Sequence, residues 1–245
     1  MYGKFAAVYD RLIKKDINYS HIADFLENLF DSYGKNPNLV CDLASGSGNI
    51  TIPMAMRGYD MIAVDSSCDM LNLARQKAAD NGLDILFLNQ DMTKLDLFGT
   101  CDAFLCMIDG FNYIMSLEKL KEIFSRIRTC FIENDGIFVF DISSKYKLKS
   151  VLGNNTFIYD TEDIFYTWEN SFKKGICRMD LSFFIKDKHG KYKRVNERQI
   201  QRSYSAEEIT SALKEAGFSH VDVYGGFDFK KPCAHDERLV FAALA

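Results

Sequence analysis

No apolar run in the 245-residue sequence approaches the roughly 20 residues that a membrane-spanning helix needs. The opening stretch, MYGKFAAVYDRLIKKD, breaks its apolar positions with charge and has no signal-peptide core. A cytoplasmic protein is expected. The seven cysteines contain no CxxC pair, and Cys41, Cys101, Cys106 and Cys130 lie in apolar runs, which points to buried reduced thiols. His21, His189, His220 and His235 are scattered without ligand spacing, so no metal is expected. A net charge of −4 gives no general pull toward nucleic acid or anionic membrane. Internal repeats, linkers and low-complexity segments are also lacking, which leaves one α/β domain with room for an insertion.

What is there is an alternation. Short, almost wholly apolar runs begin near Leu39, Tyr59, Ile85, Cys101 and Gly136, and segments with helical spacing lie between them. Near-continuous apolar strands are those of a parallel sheet covered on both faces. Ile22, Phe25, Leu26, Leu29 and Phe30 form one apolar face, so residues 1–35 read as helical. Ser66 with Asp69, and Ser205 with Glu208, have the spacing of helix-opening caps. Four of the five strands run into an acid (Asp65, Asp91, Asp109, Asp141), and Asp42 lies near the end of the first. Ligands of open α/β sheets bind beyond the carboxyl ends of the strands. That edge is therefore expected to hold a ligand rich in hydrogen-bond donors.

From about 150 to 204 the apolar period changes from 3.6 to 2. Cys177, Met179, Leu181, Phe183 and Ile185 alternate with polar positions before a DKHG turn and a second strand. This is an antiparallel insertion between two parts of the wound domain, 1–148 and 205–245. It is placed at 149–204 as a cover for the active site, with 1–35 as a helical lid.

The first strand turns through Asp42-LASGSG, where glycines permit positive φ and close ligand approach. A dinucleotide loop needs a third small residue after G-x-G, but Thr51 or Asn49 falls there, which disfavours an NAD(P)-dependent oxidoreductase. No Lys or Arg stands in the loop. DLASGSG is similar to the first motif of the class I S-adenosylmethionine-dependent methyltransferases, usually DLGCGTG. The resemblance runs from about 37 through 141 and includes the closing hairpin. It implies a doubly wound, Rossmann-like seven-stranded methyltransferase sheet with an inserted antiparallel β subdomain, and S-adenosylmethionine as cofactor. The loop departs from the family at Ala44, which fits there only if its φ stays negative.

By the same resemblance, Asp65 would hold the ribose hydroxyls, and Asp91 with the Met92 amide would hold the adenine. Cys68, Met70 and Met92 would wall the ring, and the Ala44 carbonyl and Asp42 would meet the methionine end. Ser45, Gly46, Gly48, Ser66, Gln90, Cys106 and Met107 complete the expected cofactor set. Tyr2, Phe5, Ala6, Tyr9 and Asp10, with the 106–114 segment and the insertion, resemble a small-molecule subgroup of glycine/sarcosine-type and nucleotide-sugar N-methyltransferases.

Methyl transfer from a sulfonium is an in-line displacement in which alignment does most, and a base serves only to remove an acceptor proton. Asp109 is the expected base, with Tyr9 and Tyr19 as alternatives; Asn112 and Tyr113 are expected on the acceptor side. Arg198 shares a strand face with Arg194, Asn196 and Arg202, and together with Arg178 it is the expected grip for an acidic or phosphorylated small-molecule acceptor. No nucleic-acid or membrane partner is expected, and a monomer or homodimer is. A non-catalytic S-adenosylmethionine-binding module remains the other reading.

Overall fold

A computed structural model describes residues 17–245. Tyr9 and the rest of the Tyr2–Asp10 motif lie outside the described residues. Helix α1 (Tyr19–Ser32) is capped by the Asn18 side chain and buries the apolar face of Ile22, Phe25, Leu26, Leu29 and Phe30. Strands β1 (Leu39–Leu43), β2 (Asp60–Asp65), β3 (Leu86–Asn89), β4 (Cys101–Cys106) and β5 (Ile132–Ser143) follow. They alternate with helices α2 (Thr51–Met56), α3 (Cys68–Asp80) and α4 (Leu117–Arg126). Pro53 sits in the first turn of α2, where a missing N–H costs least.

The insertion supplies β6 (Thr156–Asp160), β7 (Ile164–Lys173), β8 (Ile176–Lys186) and β9 (Tyr192–Arg202). Helix α5 (Ala206–Glu215) opens with the expected Ser205–Glu208 capping box, and β10 (His220–Gly225) and β11 (Arg238–Leu244) close the chain.

The main sheet has the order β10-β11-β5-β4-β1-β2-β3, with β1 to β5 parallel and β11 antiparallel to both its neighbours. This is the expected seven-stranded, doubly wound class. Strand parity divides its core. Phe104, Phe138, Phe140 and Phe241 point to the side of α4 and α5, where Phe111 packs edge-on against Phe140 at 4.9 Å. The other side takes Ala63, Ala103, Val139 and Ala242, small residues that let α1 lie close to the sheet. The chain winds outward from β1 in one direction and from β4 in the other. The crevice between their carboxyl ends is the switch point, where the loops after β1 and β4 face each other.

Strands β6 to β9 form a separate antiparallel sheet with its own core of Leu148, Leu152, Ile164, Tyr166, Met179, Leu181 and Phe183. The register places Met179 opposite Gln199 and Cys177 opposite Gln201, so these two glutamines share the apolar inner face. Arg178, Asp180, Arg194, Asn196 and Arg198 occupy the other face.

Two sequence expectations need correction. Helix α3 is capped by Ser67, whose hydroxyl accepts from Met70 N, and not by Ser66. The Asp65 carboxylate takes the Ser67 amide and moves the helix start one residue on. All seven cysteines are free, but Cys68, Cys130 and Cys233 are exposed.

Candidate active site

A cavity of about 250 Å³ lies at the switch point. Asp42, Ala44, Ser45, Gly46, Asp65, Ser66, Met70, Met92, Met107, Asp109, Tyr113 and Tyr19 line it, together with Ser47, Asn49, Ile50, Ser67, Ile108 and Gly110. Most of the expected cofactor residues are therefore brought together, and the second group is what the sequence reading missed. Five expected residues are absent from the wall, and one of them, Cys68, is exposed on α3. Gly48 turns at φ +76 and leaves room for Ala74 and Ile52, only 3.2 Å from where a Cβ would sit. Gln90 brackets Asp96 with two side-chain bonds, and Cys106 is buried in the core. Asp91 is exposed and caps the turn after β3 by accepting from Thr93 N at 2.9 Å.

Asp65 ties the crevice together. One carboxylate oxygen accepts from Gly46 N at 2.8 Å, and the other accepts from Ser67 N at 2.7 Å. Burial raises its pKa, and those two amides oppose the rise. Asp42 is buried on β1 and accepts from the Thr51 hydroxyl at 2.6 Å. Burial pushes its pKa up to about 7; the Thr51 bond works against that, and the Asp65 charge adds to it.

Ala44 does not keep negative φ; it stands at +53. The left-handed region costs a Cβ-bearing residue about 1–2 kcal/mol. Ser45 N bonding Val64 O and Gly46 N bonding Asp65 fix the turn on either side. A Cβ at Gly110 would come within 3.1 Å of the Ala44 methyl, so the facing loop yields the space.

The loop after β4 is more strained. Ile108 and Asp109 are consecutive left-handed residues, at φ +61 and +53, and a β-branched residue rarely tolerates this. Asp141 holds both, its two oxygens accepting from Ile108 N at 2.5 Å and Asp109 N at 3.0 Å. Arg238, at the head of β11, bridges Asp141 and Asp109, and Gln201 of β9 donates to Asp109 at 2.6 Å. Burial works to raise the pKa of Asp109, but Arg238, Lys147 and Gln201 outweigh it and leave it below the ordinary carboxylate value. Asp109 is thus an anion held by Arg238 and Gln201 on the wall of the cavity.

A larger cavity, about 580 Å³, lies between this loop and the inserted sheet. Tyr166, Trp168, Phe183, Gln199 and Gln201 of that sheet, together with Lys147 and Arg238, are among the residues that line it. The sequence reading missed these seven residues, although the parity of β8 and β9 already marked Gln199 and Gln201 as inward. Ile108, Asp109 and Tyr113 line both cavities. Tyr19 lines only the smaller one, at the start of α1. Asn112 lines neither: it is fully buried, accepting from Ser143 N and donating to the Ser143 and Arg202 carbonyls. Arg178 and Arg198 are also misplaced as acceptor residues. Both pair with Asp180 on the outer, solvated face, one residue out of phase with the cavity.

The smaller cavity presents three acids and no Lys or Arg, which suits a cationic ligand without phosphate. A model of a methyltransferase domain matches residues 40–133. Over 99% of this chain and 96% of the relative, the sequence is 33% identical to "Putative methyltransferase YqeM" of Bacillus subtilis (strain 168). It is 34% identical to an S-adenosylmethionine-dependent methyltransferase of known structure from Clostridium acetobutylicum ATCC 824, with TM-score 0.91 over 99% of this chain and 98% of that one. The chain belongs to the S-adenosylmethionine-dependent methyltransferases. This methyltransferase also shares its fold with CalS10 from Micromonospora echinaspora, an amino pentose methyltransferase solved with S-adenosylmethionine bound (15% identity, TM-score 0.79, 97% of both chains). It is an enzyme with S-adenosylmethionine as its cofactor, which sets aside the oxidoreductase and the non-catalytic module. No helix among the described residues is long and apolar enough to cross a membrane, and no cluster of His, Cys, Asp or Glu there has the arrangement of a metal site.

Proposed function

We propose that this methyltransferase carries a methyl group in line to a small-molecule acceptor seated in the larger cavity. The observation that carries the reading is the shared wall: Ile108, Asp109 and Tyr113 border both cavities, so the two volumes abut there. In this reading Asp65 receives the ribose hydroxyls, Met70 and Met92 flank the adenine, and Asp42 with the Ala44 carbonyl meets the methionine ammonium. S-adenosylmethionine supplies an already activated methyl group on a sulfonium. The protein's part is alignment and exclusion of water, which can contribute on the order of 7–11 kcal/mol. Tyr113, whose hydroxyl donates to Gln199 at 2.9 Å, stands where the acceptor would meet the methyl group. Calorimetry with S-adenosylmethionine followed by a metabolite screen for S-adenosylhomocysteine release tests the proposal. Cofactor binding with turnover of a small acceptor is expected. Turnover of protein or nucleic acid alone would overturn it.

A further inference from the structure

The larger cavity carries information about what it holds, once its charges are accounted for. Arg238 is spent, one arm on Asp141 and the other on Asp109. Asp109 is occupied by Arg238 and Gln201, and Asp141 by two backbone amides and Arg238. His21 lies at the exposed rim beside Asp228, and Glu237 is exposed. Two charges are left over, Glu237 at the exposed rim and Lys147 further in. Lys147, after β5, lines the cavity and is half-buried, yet its ammonium makes none of the hydrogen bonds or ion pairs found among the described residues.

An ammonium taken from water without a contacting acceptor is costly, and its arrangement makes sense if a ligand supplies the missing anion. Burial, followed by the Arg238 charge, pulls the Lys147 pKa down, while Asp109, Glu237 and Asp141 act from a distance in the opposite sense. Alongside Gln199 and Gln201, much of the wall is apolar and flat-faced. Tyr159 stacks on Tyr166 at 4.5 Å, Tyr166 on Phe183 at 5.1 Å, and Phe157 lies 5.6 Å from Trp168. Such surfaces favour rings over branched or highly hydrated bodies. The bound cofactor would add a sulfonium charge across the shared wall, which further favours an anion on the acceptor side.

We propose that the methyl acceptor is an anionic, ring-bearing small molecule whose carboxylate or phosphate pairs with Lys147 while its body lies against the aromatic wall. This rests on the reading that the larger cavity is the acceptor site. It moves the grip on an acidic acceptor from the outer arginines, where the sequence suggested it, to a single lysine inside.

Trp168 is the only tryptophan in the chain and lines the cavity, so its fluorescence reports occupancy. The experiment titrates the protein, saturated with S-adenosylhomocysteine, with 3-phenylpropionate, phenyl phosphate and the uncharged 3-phenylpropionamide. Both anions should bind at least ~10-fold more tightly than the amide, as one charge-assisted contact provides. Lys147→Gln should erase the preference and Lys147→Arg should keep most of it. Equal binding of amide and anions, a preference that survives Lys147→Gln, or no response to any probe would each overturn the proposal. If Lys147→Gln does not fold, the anion-to-amide ratio in the unmodified protein decides. A failure of the methyl-transfer reading shows separately, as absence of cofactor binding in calorimetry.

Discussion

The two cavities are built from different materials. The smaller cavity is made of backbone: small residues, turns at positive φ, and acids whose oxygens hold amides in place, as Asp65 does with Gly46 and Ser67. The larger cavity is made of side chains: rings and amides projecting from an inserted sheet. A backbone-built site tolerates few sequences, because each residue must satisfy a conformation as well as a contact. A side-chain-built site can be redecorated while its strands keep their pairing.

The comparison breaks most visibly at its most constrained acid. Asp65→Ala removes the contact that ties the loop after β1 to β2, the local contact to Ser67 N, and the carboxylate that would take the ribose. We expect S-adenosylmethionine affinity to fall by at least ~100-fold in calorimetry, since each charge-assisted bond is worth roughly 1.5–3 kcal/mol. A loss under threefold would mean that the cofactor is held elsewhere.

The wall common to both cavities gives the next largest effect. Asp141→Asn leaves one of two buried amides, Ile108 N or Asp109 N, without an acceptor, at a cost of about 1–3 kcal/mol. Affinity for S-adenosylhomocysteine should drop ~10-fold. Adding Ile108→Gly should restore part of it, because glycine takes positive φ without strain and no longer needs the Asp141 grip. A double variant that binds no better than Asp141→Asn alone would show that Asp141 does not act through the backbone of that loop.

The same contrast explains what could be read beforehand. The alternation of strands and helices, the inserted sheet and most of the wall of the smaller cavity follow from local signals: apolar runs, glycines at a turn, acids at strand ends. Ala44 misled because φ there is set by bonds from Val64 and Asp65, which no local rule contains. The partners of Asp109, Gln201 and Arg238, were not legible because they are far away in sequence. The arginines of β9 misled by one residue. Charge drew the reading to Arg198, whereas the apolar partners Met179 and Cys177 across the register marked Gln199 and Gln201 as the inward pair.

A smaller effect tests whether Asp42 meets a cation. Its pKa stands near 7 against the ordinary 3.8, so the free protein binds a proton there that the unfolded chain releases. The stability contributed by that proton is fully present below about pH 4 and is lost as pH rises through 7. A bound ammonium reverses the preference and favours the anion. S-adenosylmethionine affinity should therefore increase with pH up to about 7 and then level off, with a slope of at most tenfold per unit. Asp42→Asn should remove the slope, and a profile in the variant matching the unmodified protein would assign the titration to another group.

The smallest effect belongs to the residue that the sequence made most conspicuous. Arg198 is more than half exposed and shares Asp180 with Arg178, so Asp180 keeps a partner when Arg198 is removed. Burial works to raise the Asp180 pKa, and the two arginines together outweigh it and hold it below its usual value, but solvent screens the pair. Arg198→Ala should change stability by no more than ~0.5 kcal/mol in denaturant titration and leave probe binding at Trp168 unaltered. Loss of anion binding in this variant, with Lys147 intact, would move the acceptor to the outer face of the inserted sheet and make the aromatic cavity a feature of packing.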